Sequence, residues 1–199
     1  MLNLDSPQTP EEAKRNRILE GAMKVVLAYG YHRTTMDDVA KAAEMSRPAL
    51  YLMFRNKADI YRAIATTFFH ASATRMGEIL AEDGPFGERL FRGVNETMIE
   101  VMQQICQSPH GAELLDMKSE LCGGAVEDWN IEVTALFAEA ITREAARLGT
   151  DLASRGTSAD QLGAMLHDGF VGLKMRASDA DDQRAGVRHL IHIVELTLA

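Results

Sequence analysis

Thr35-Met-Asp-Asp-Val-Ala-Lys-Ala-Ala-Glu-Met-Ser-Arg-Pro-Ala-Leu-Tyr-Leu-Met-Phe54 is the stretch that decides how this chain folds. Thr35 followed three residues later by Asp38 is a capping-box arrangement, with Asp in place of the usual Glu or Gln. Val39, Ala40 and Ala43 then recur at helical spacing and turn toward a small core. Glu44 and Met45 form a turn. Ser46 caps a second short helix, and Pro48 falls in its first turn, where a missing N–H costs little. Leu50 and Phe54 share one face of that helix. Arg47, Ala49, Tyr51 and Leu52 are left nearer the outside.

Two short helices across a tight turn, the second with an exposed basic and aromatic side, make a helix-turn-helix that can enter the major groove of DNA. The candidate contacts divide by chemistry. Arg47 suits a guanine edge or a phosphate. Ala49 lets the backbone approach a base or a thymine methyl, and the Tyr51 hydroxyl suits a phosphate. Lys57, behind the N-cap candidate Asn56, lies at the start of the next helix beside its unpaired N–H groups, as a phosphate clamp would. Thr34, Thr35 and Ser46 add hydroxyls for the DNA backbone, and Pro48 and Leu52 complete the exposed set.

Upstream, Thr9-Pro10-Glu11-Glu12 supplies a cap, an N1 proline and early acids for an amphipathic helix. Its stripe is Ile18, Leu19, Ala22, Val25, Val26 and Tyr29, and Gly30 suits a left-handed C-terminal residue. Downstream comes Arg55-Asn-Lys-Ala-Asp-Ile60. The run from about residue 14 to 60 resembles the N-terminal domain of TetR/AcrR-type transcriptional regulators. Their pattern is a first helix ending near Tyr-Gly, then Thr-Thr-Met-Asp-Asp-Val-Ala-Lys-Ala-Ala, Ser-Arg-x-Ala-Leu-Tyr-x-x-Phe and Asn-Lys-x-Asp. All these parts occur here in order, over about a quarter of the chain. Two positions depart from it. Glu44 stands where the family usually has glycine, and Met53 where an aromatic or histidine is common.

The resemblance implies an all-α protein of about nine helices. A three-helix DNA-binding domain spans 10–56, with the motif at 35–54, and a helical ligand-binding and dimerisation domain spans 57–199. The residues beyond 56 read as helices over about 56–80 and 86–107, then to Leu121 with Gly123-Gly124 as a stop. Further helices follow over about 126–148, from Ser158 with its Gln161 capping box to Arg176, and to Leu198. Leu162, Leu166, Gly169 and Leu173 share one face of the penultimate helix. Val187, Leu190, Ile191 and Val194 stripe the last. Such stripes either close a monomer core or, as the resemblance implies, join a second copy in a four-helix bundle. A dimer would read two half-sites about 34–36 Å apart in a near-palindromic operator.

The family carries a cavity for a small-molecule effector between these parts. Eleven methionines, with Met98, Met102 and Met117 in the central helices beside Trp129, Phe137 and Phe170, fit a mainly apolar effector, because methionine adapts its shape. The same residues also read as ordinary core. The resemblance implies repression relieved when the effector binds. The competing reading is a protein- or ligand-binding module that keeps the fold without sequence-specific DNA binding.

Composition bounds the remaining classes. The net charge is −8, yet residues 14–57 carry nine Lys or Arg against four Asp or Glu, and residues 61–199 carry twelve against twenty-one. Phosphate attraction follows the local surface, so the N-terminal part remains suited to DNA. No apolar run approaches the ~20 residues of a membrane helix, and the N-terminus lacks a signal-peptide pattern, so a cytoplasmic protein with no membrane partner is expected. Cys106 and Cys122 form no C-x-x-C pair, and the histidines His70, His110, His167, His189 and His192 offer no convincing third ligand, so neither metal nor cofactor is expected. No nucleophile elbow, phosphate loop or His-Glu-x-x-His motif points to an enzyme.

Overall fold

The computed structural model describes residues 9–116, 118–177 and 179–199, and among these every regular element is helical. The α-helices are α1 (Pro10–Tyr29), α2 (Met36–Ala42), α3 (Arg47–Met53), α4 (Lys57–Ala81), α5 (Phe86–Val94), α6 (Glu100–Gln107), α7 (Gly111–Asp116), α8 (Lys118–Leu148), α9 (Ala159–Arg176) and α10 (Ala180–Leu198). A π-helical turn, Asn95–Ile99, joins α5 to α6, and a 3-10 turn, Ala153–Arg155, precedes α9. The chain divides into two compact units. One holds the chain up to Ala71 together with Gln104–Glu127, and the other holds Ser72–Gln103 and Asp128–Ala199. Sequence patterning places one boundary at residue 56. The units instead divide within α4, and the first takes in α7.

In the first unit, α1 buries Ile18, Leu19, Ala22 and Val26 against Val39, Ala40, Leu50, Phe54 and Ile60. Tyr29 departs from the expected stripe and is exposed, while Tyr31 in the following turn is buried in its place. Both predicted capping boxes form, Thr35 with Asp38 (Asp38 N–H bonds Thr35 Oγ1 at 3.2 Å) and Ser158 with Gln161, and Thr9 caps α1 in a third with Glu12. Gly30 has positive φ (86°) with an extended ψ of 156°, so it is not left-handed helical. That combination is essentially restricted to glycine.

The turn between α2 and α3 is a Schellman motif. Met45 N–H bonds Ala40 O at 3.0 Å, and Glu44 N–H bonds Lys41 O at 3.1 Å. Its left-handed residue is Glu44, the sole non-glycine with positive φ (54°) among the described residues. The motif normally takes glycine there because a Cβ crowds the neighbouring carbonyl, a cost of roughly 1 kcal/mol.

In the second unit the C-terminal part of α4 packs with α5, α8, α9 and α10 around Met76, Leu90, Ile99, Phe137, Ile141, Phe170, Ile191 and Val194. Three expectations change here. The helix expected over 86–107 widens at Asn95–Ile99, where the Thr97 hydroxyl bonds Gly93 O at 2.8 Å and Ser72 bonds Thr97 O at 3.3 Å. In the part of α8 that belongs to the first unit, Gly123-Gly124 does not stop a helix, because α8 runs through both. Glycine costs up to ~1 kcal/mol in a helix interior, which a long packed helix tolerates.

The third change concerns the stripes offered for dimerisation. Leu162, Leu166, Leu173, Val187, Ile191 and Val194 are buried inside their own unit. Leu190 is half-buried, and a Cβ on Gly169 would meet its side chain at 2.7 Å. The strongest apolar stripe of each helix is spent on the chain's own core. The sides turned outward carry the exposed Val171, Met175, Ile193 and Leu196.

Replacing Glu44 by glycine is expected to stabilise the protein by up to about 1 kcal/mol, a rise in thermal midpoint of about 2–4 °C. Glu44→Ala keeps the Cβ and should bring no gain. Differential scanning calorimetry of both variants checks this.

Candidate nucleic-acid interface

The exposed side of the first unit is built by α3. This helix has seven residues, too few to persist alone, so caps and burial hold it. Ser46 Oγ accepts the Ala49 N–H at 3.3 Å, and Phe54 N–H bonds Leu50 O at 3.0 Å. Leu50 is fully buried and Phe54 nearly so. With that face fixed, Ser46, Arg47, Pro48, Tyr51 and Leu52 are exposed and Ala49 is half-buried. Leu52, 89% exposed, is an apolar side chain held in solvent on a helix whose opposite face is core.

Arg47 and Tyr51 form an i, i+4 pair. Arg47 Nη2 lies 3.5 Å from the Tyr51 hydroxyl, and the guanidinium stands 5.6 Å from the ring centroid. The Tyr51 hydroxyl raises the Arg47 pKa further, so the guanidinium stays charged. A planar cation and a phenol held together on an open helix face can bond a base edge and a phosphate at once. Lys14, Arg15, Arg17, Arg33 and Arg55 are further exposed cations of this unit. Sequence reading left them out because nothing local distinguishes them from solvating charge.

Two expected phosphate contacts sit differently. Thr34 is buried, and its hydroxyl bonds Gly30 O at 2.7 Å. It closes the α1–α2 turn and does not reach the surface. Lys57 is half-buried, with Nζ 2.8 Å from Tyr31 O, 3.1 Å from Thr34 O and 3.4 Å from His32 O, and 4.3 Å from the Tyr31 ring centroid. Its ammonium serves the carbonyls of the chain that precedes α2. Thr35 is exposed, but its hydroxyl is given to Asp38 at 2.7 Å. The two hydrogen bonds from Thr35 hold the Asp38 carboxyl below its usual range.

Of the described effector candidates, Phe137 and Phe170 line one void together. Met98, Phe137 and Phe170 are core residues, whereas Met102 and Trp129 are half-buried. Met117 lies outside the described residues. The void beside Phe137 and Phe170 is about 10 Å³, room for about one water. A larger groove of about 540 Å³ opens near Leu80, Pro85, Phe86, Arg89, Arg143, Glu144 and Arg147, and it is polar and contains none of the six candidates. Large apolar side chains at helical spacing have filled the core. His167 is buried between Asn130 (3.1 Å) and Asp168 (3.3 Å). Cys106 is exposed and Cys122 half-buried. Among the described residues no cluster suited to a metal occurs, and no helix is long and apolar enough to cross a membrane.

Residues 18–64, which span α1 through the start of α4, match the family described as bacterial regulatory proteins, tetR family. The TtgR transcriptional regulator of Pseudomonas putida is 29% identical over 148 residues, 68% of this chain and 70% of that protein. Residues 18–64 form a TetR-type DNA-binding region.

The HTH-type transcriptional regulator YhgD of Bacillus subtilis, described as uncharacterised, is 33% identical over 81 residues, 41% of this chain and 42% of that protein. The match with YhgD thus spans under half of that protein's length. SmeT, the repressor of a Stenotrophomonas maltophilia multidrug efflux pump, has the same fold, with a TM-score of 0.63 at 16% identity over 90% of this chain and 89% of SmeT. It has also been solved as a complex with triclosan. These comparisons support an all-α architecture of the TetR type with an N-terminal helix-turn-helix.

The lysine geometry has a direct test. Lys57→Met keeps the alkyl stem and removes the ammonium, leaving three carbonyls without their donor. It is expected to destabilise the DNA-free protein by about 1–3 kcal/mol in chemical denaturation. A lysine reserved for phosphate would leave the stability of the free protein unchanged.

Proposed function

We propose that this chain is a repressor that binds a near-palindromic operator as a homodimer and is released by a small, mainly apolar effector. The observation that carries the DNA-binding part is the split face of α3: Leu50 and Phe54 are locked inside, and Arg47, Tyr51 and Leu52 stand in solvent. Arg47 reads a base or grips a phosphate, Tyr51 presents it, and Leu52 packs on a thymine methyl or sugar. Ser46 and the α3 N-terminus lie along the phosphate backbone, with Pro48 and Ala49 allowing close approach. Such a regulator works where the chromosome is, in the cytoplasm.

Dimerisation falls to the outward sides of α9 and α10. Val171 and Met175 on one, and Ile193 and Leu196 on the other, leave apolar surface in water, and a Cβ on Gly172 would meet nothing within 4 Å beyond its own helix backbone among the described residues. These residues replace the inward stripe named from sequence. Two copies would bring two α3 helices to one face of the duplex, which explains how so short a recognition element gains adequate contact area.

SmeT is a repressor whose complex with triclosan supports an apolar effector for this chain also. The second unit is closed around Phe137 and Phe170, so an effector would enter by displacing core side chains. It acts only through its differential affinity for the DNA-binding and released conformers.

Selection of genomic fragments by the purified protein, followed by anisotropy titrations at several salt concentrations, tests the reading. Symmetric sites and an affinity that falls steeply with salt are expected. Affinity indifferent to salt would overturn it. Arg47→Ala is expected to cost roughly 1–3 kcal/mol of operator binding and to relax preference at one base position. Met175→Glu with Leu196→Glu is expected to yield monomers in analytical ultracentrifugation and to weaken operator binding, while the far-ultraviolet dichroism remains helical.

A further inference from the structure

The α1–α2 turn, Gly30 to Thr34, is gripped on both of its backbone polarities. Lys57 takes the carbonyls of Tyr31, His32 and Thr34. From the other side, Glu113 on α7 accepts the His32 N–H at 2.9 Å through Oε1, and its Oε2 lies 3.6 Å from His110 Nδ1. The bond joins residues 81 positions apart within one compact unit. Gly30 makes room for it, since a Cβ there would lie 2.3 Å from Glu113 Oε2. Leu114, the next residue, packs against the core of the same unit. The His32 N–H is the main reason why the Glu113 carboxyl is held below its usual range, with the nearby His32 and His110 rings adding to it.

The turn leads straight into Thr35, the cap of α2, and α2 sets α3 through the Schellman turn. A displacement of the turn therefore moves the start of the whole motif. Glu113 reaches the motif through the backbone N–H of His32.

We propose that Glu113 is a positioning residue for DNA binding: by holding the His32 N–H it fixes the α1–α2 turn and ties the placement of the α2–α3 motif to α7. The proposal rests on the DNA-binding reading above. It makes α7 a lever, because whatever withdraws the carboxylate loosens the motif. Coupling of this kind is reciprocal, so operator binding must in turn steady α7.

The test uses the full chain, a duplex carrying a selected genomic fragment, and the variants Glu113→Ala and Glu113→Gln. Glutamine keeps an oxygen acceptor for the His32 N–H, and alanine does not. Glu113→Ala is expected to bind the duplex about tenfold more weakly, within the usual range of coupling energies, with an unchanged salt slope because no phosphate contact is lost. Glu113→Gln should recover most of the affinity. Amide hydrogen exchange should show residues 111–114 slowed by duplex in the wild type and in Glu113→Gln, but not in Glu113→Ala. Wild-type affinity and a wild-type exchange response in Glu113→Ala would overturn the proposal. So would equal losses in both variants with matching falls in thermal midpoint, the mark of a merely structural role. Failure of the wild type to bind any duplex would overturn the DNA-binding reading itself, and the proposal with it.

Discussion

Burial of Leu50 and Phe54 is the constraint on which the working face depends. A seven-residue helix has too few hydrogen bonds to offset the ordering of its backbone, so α3 exists because its inner side chains reach a core built by α1 and α2. Once Leu50 has no solvent exposure, helical geometry leaves the orientation of Arg47, Tyr51 and Leu52 little choice. The same burial that stabilises the head also aims it. The cost accepted for this geometry is visible at Glu44, where an ordinary residue occupies a backbone conformation that suits glycine.

The parts legible in the sequence are those written in neighbouring residues. Thr9, Thr35, Ser46 and Ser158 cap helices where their side chains meet N–H groups three positions on. The left-handed conformation at Glu44 follows from the family pattern it breaks, and the split face of α3 follows from spacing alone. The parts that were not legible depend on distant partners. Lys57 is a plausible phosphate ligand until the carbonyls of Tyr31, His32 and Thr34 surround it. The buried state of Thr34 arises from the return of its hydroxyl to Gly30, which a string of hydroxyl residues does not reveal. Gly123-Gly124 looks like punctuation, but a long helix absorbs it.

The two C-terminal helices show the same limit in another form. Periodicity marked the residues that must leave water, and Leu162, Leu166, Val187 and Ile191 do so. It cannot say whose surface covers them. The chain's own core claims the richer stripe, and the poorer outward one, with Val171, Met175, Ile193 and Leu196, is too diluted by His189, His192 and Asp168 to stand out in sequence. The methionines behave alike: Met98 fills space beside Ile99 and Val94 rather than lining a chamber.

The closure of the second unit has a consequence for sensitivity. With a void that barely admits one water, the proposed effector could enter here only after Phe137 and Phe170 move apart. Its apparent affinity is then its intrinsic affinity scaled by the small fraction of molecules already parted. Under the proposed effector reading, detection threshold and packing quality become one property, and any change that tightens this interior weakens the response as it raises the melting point.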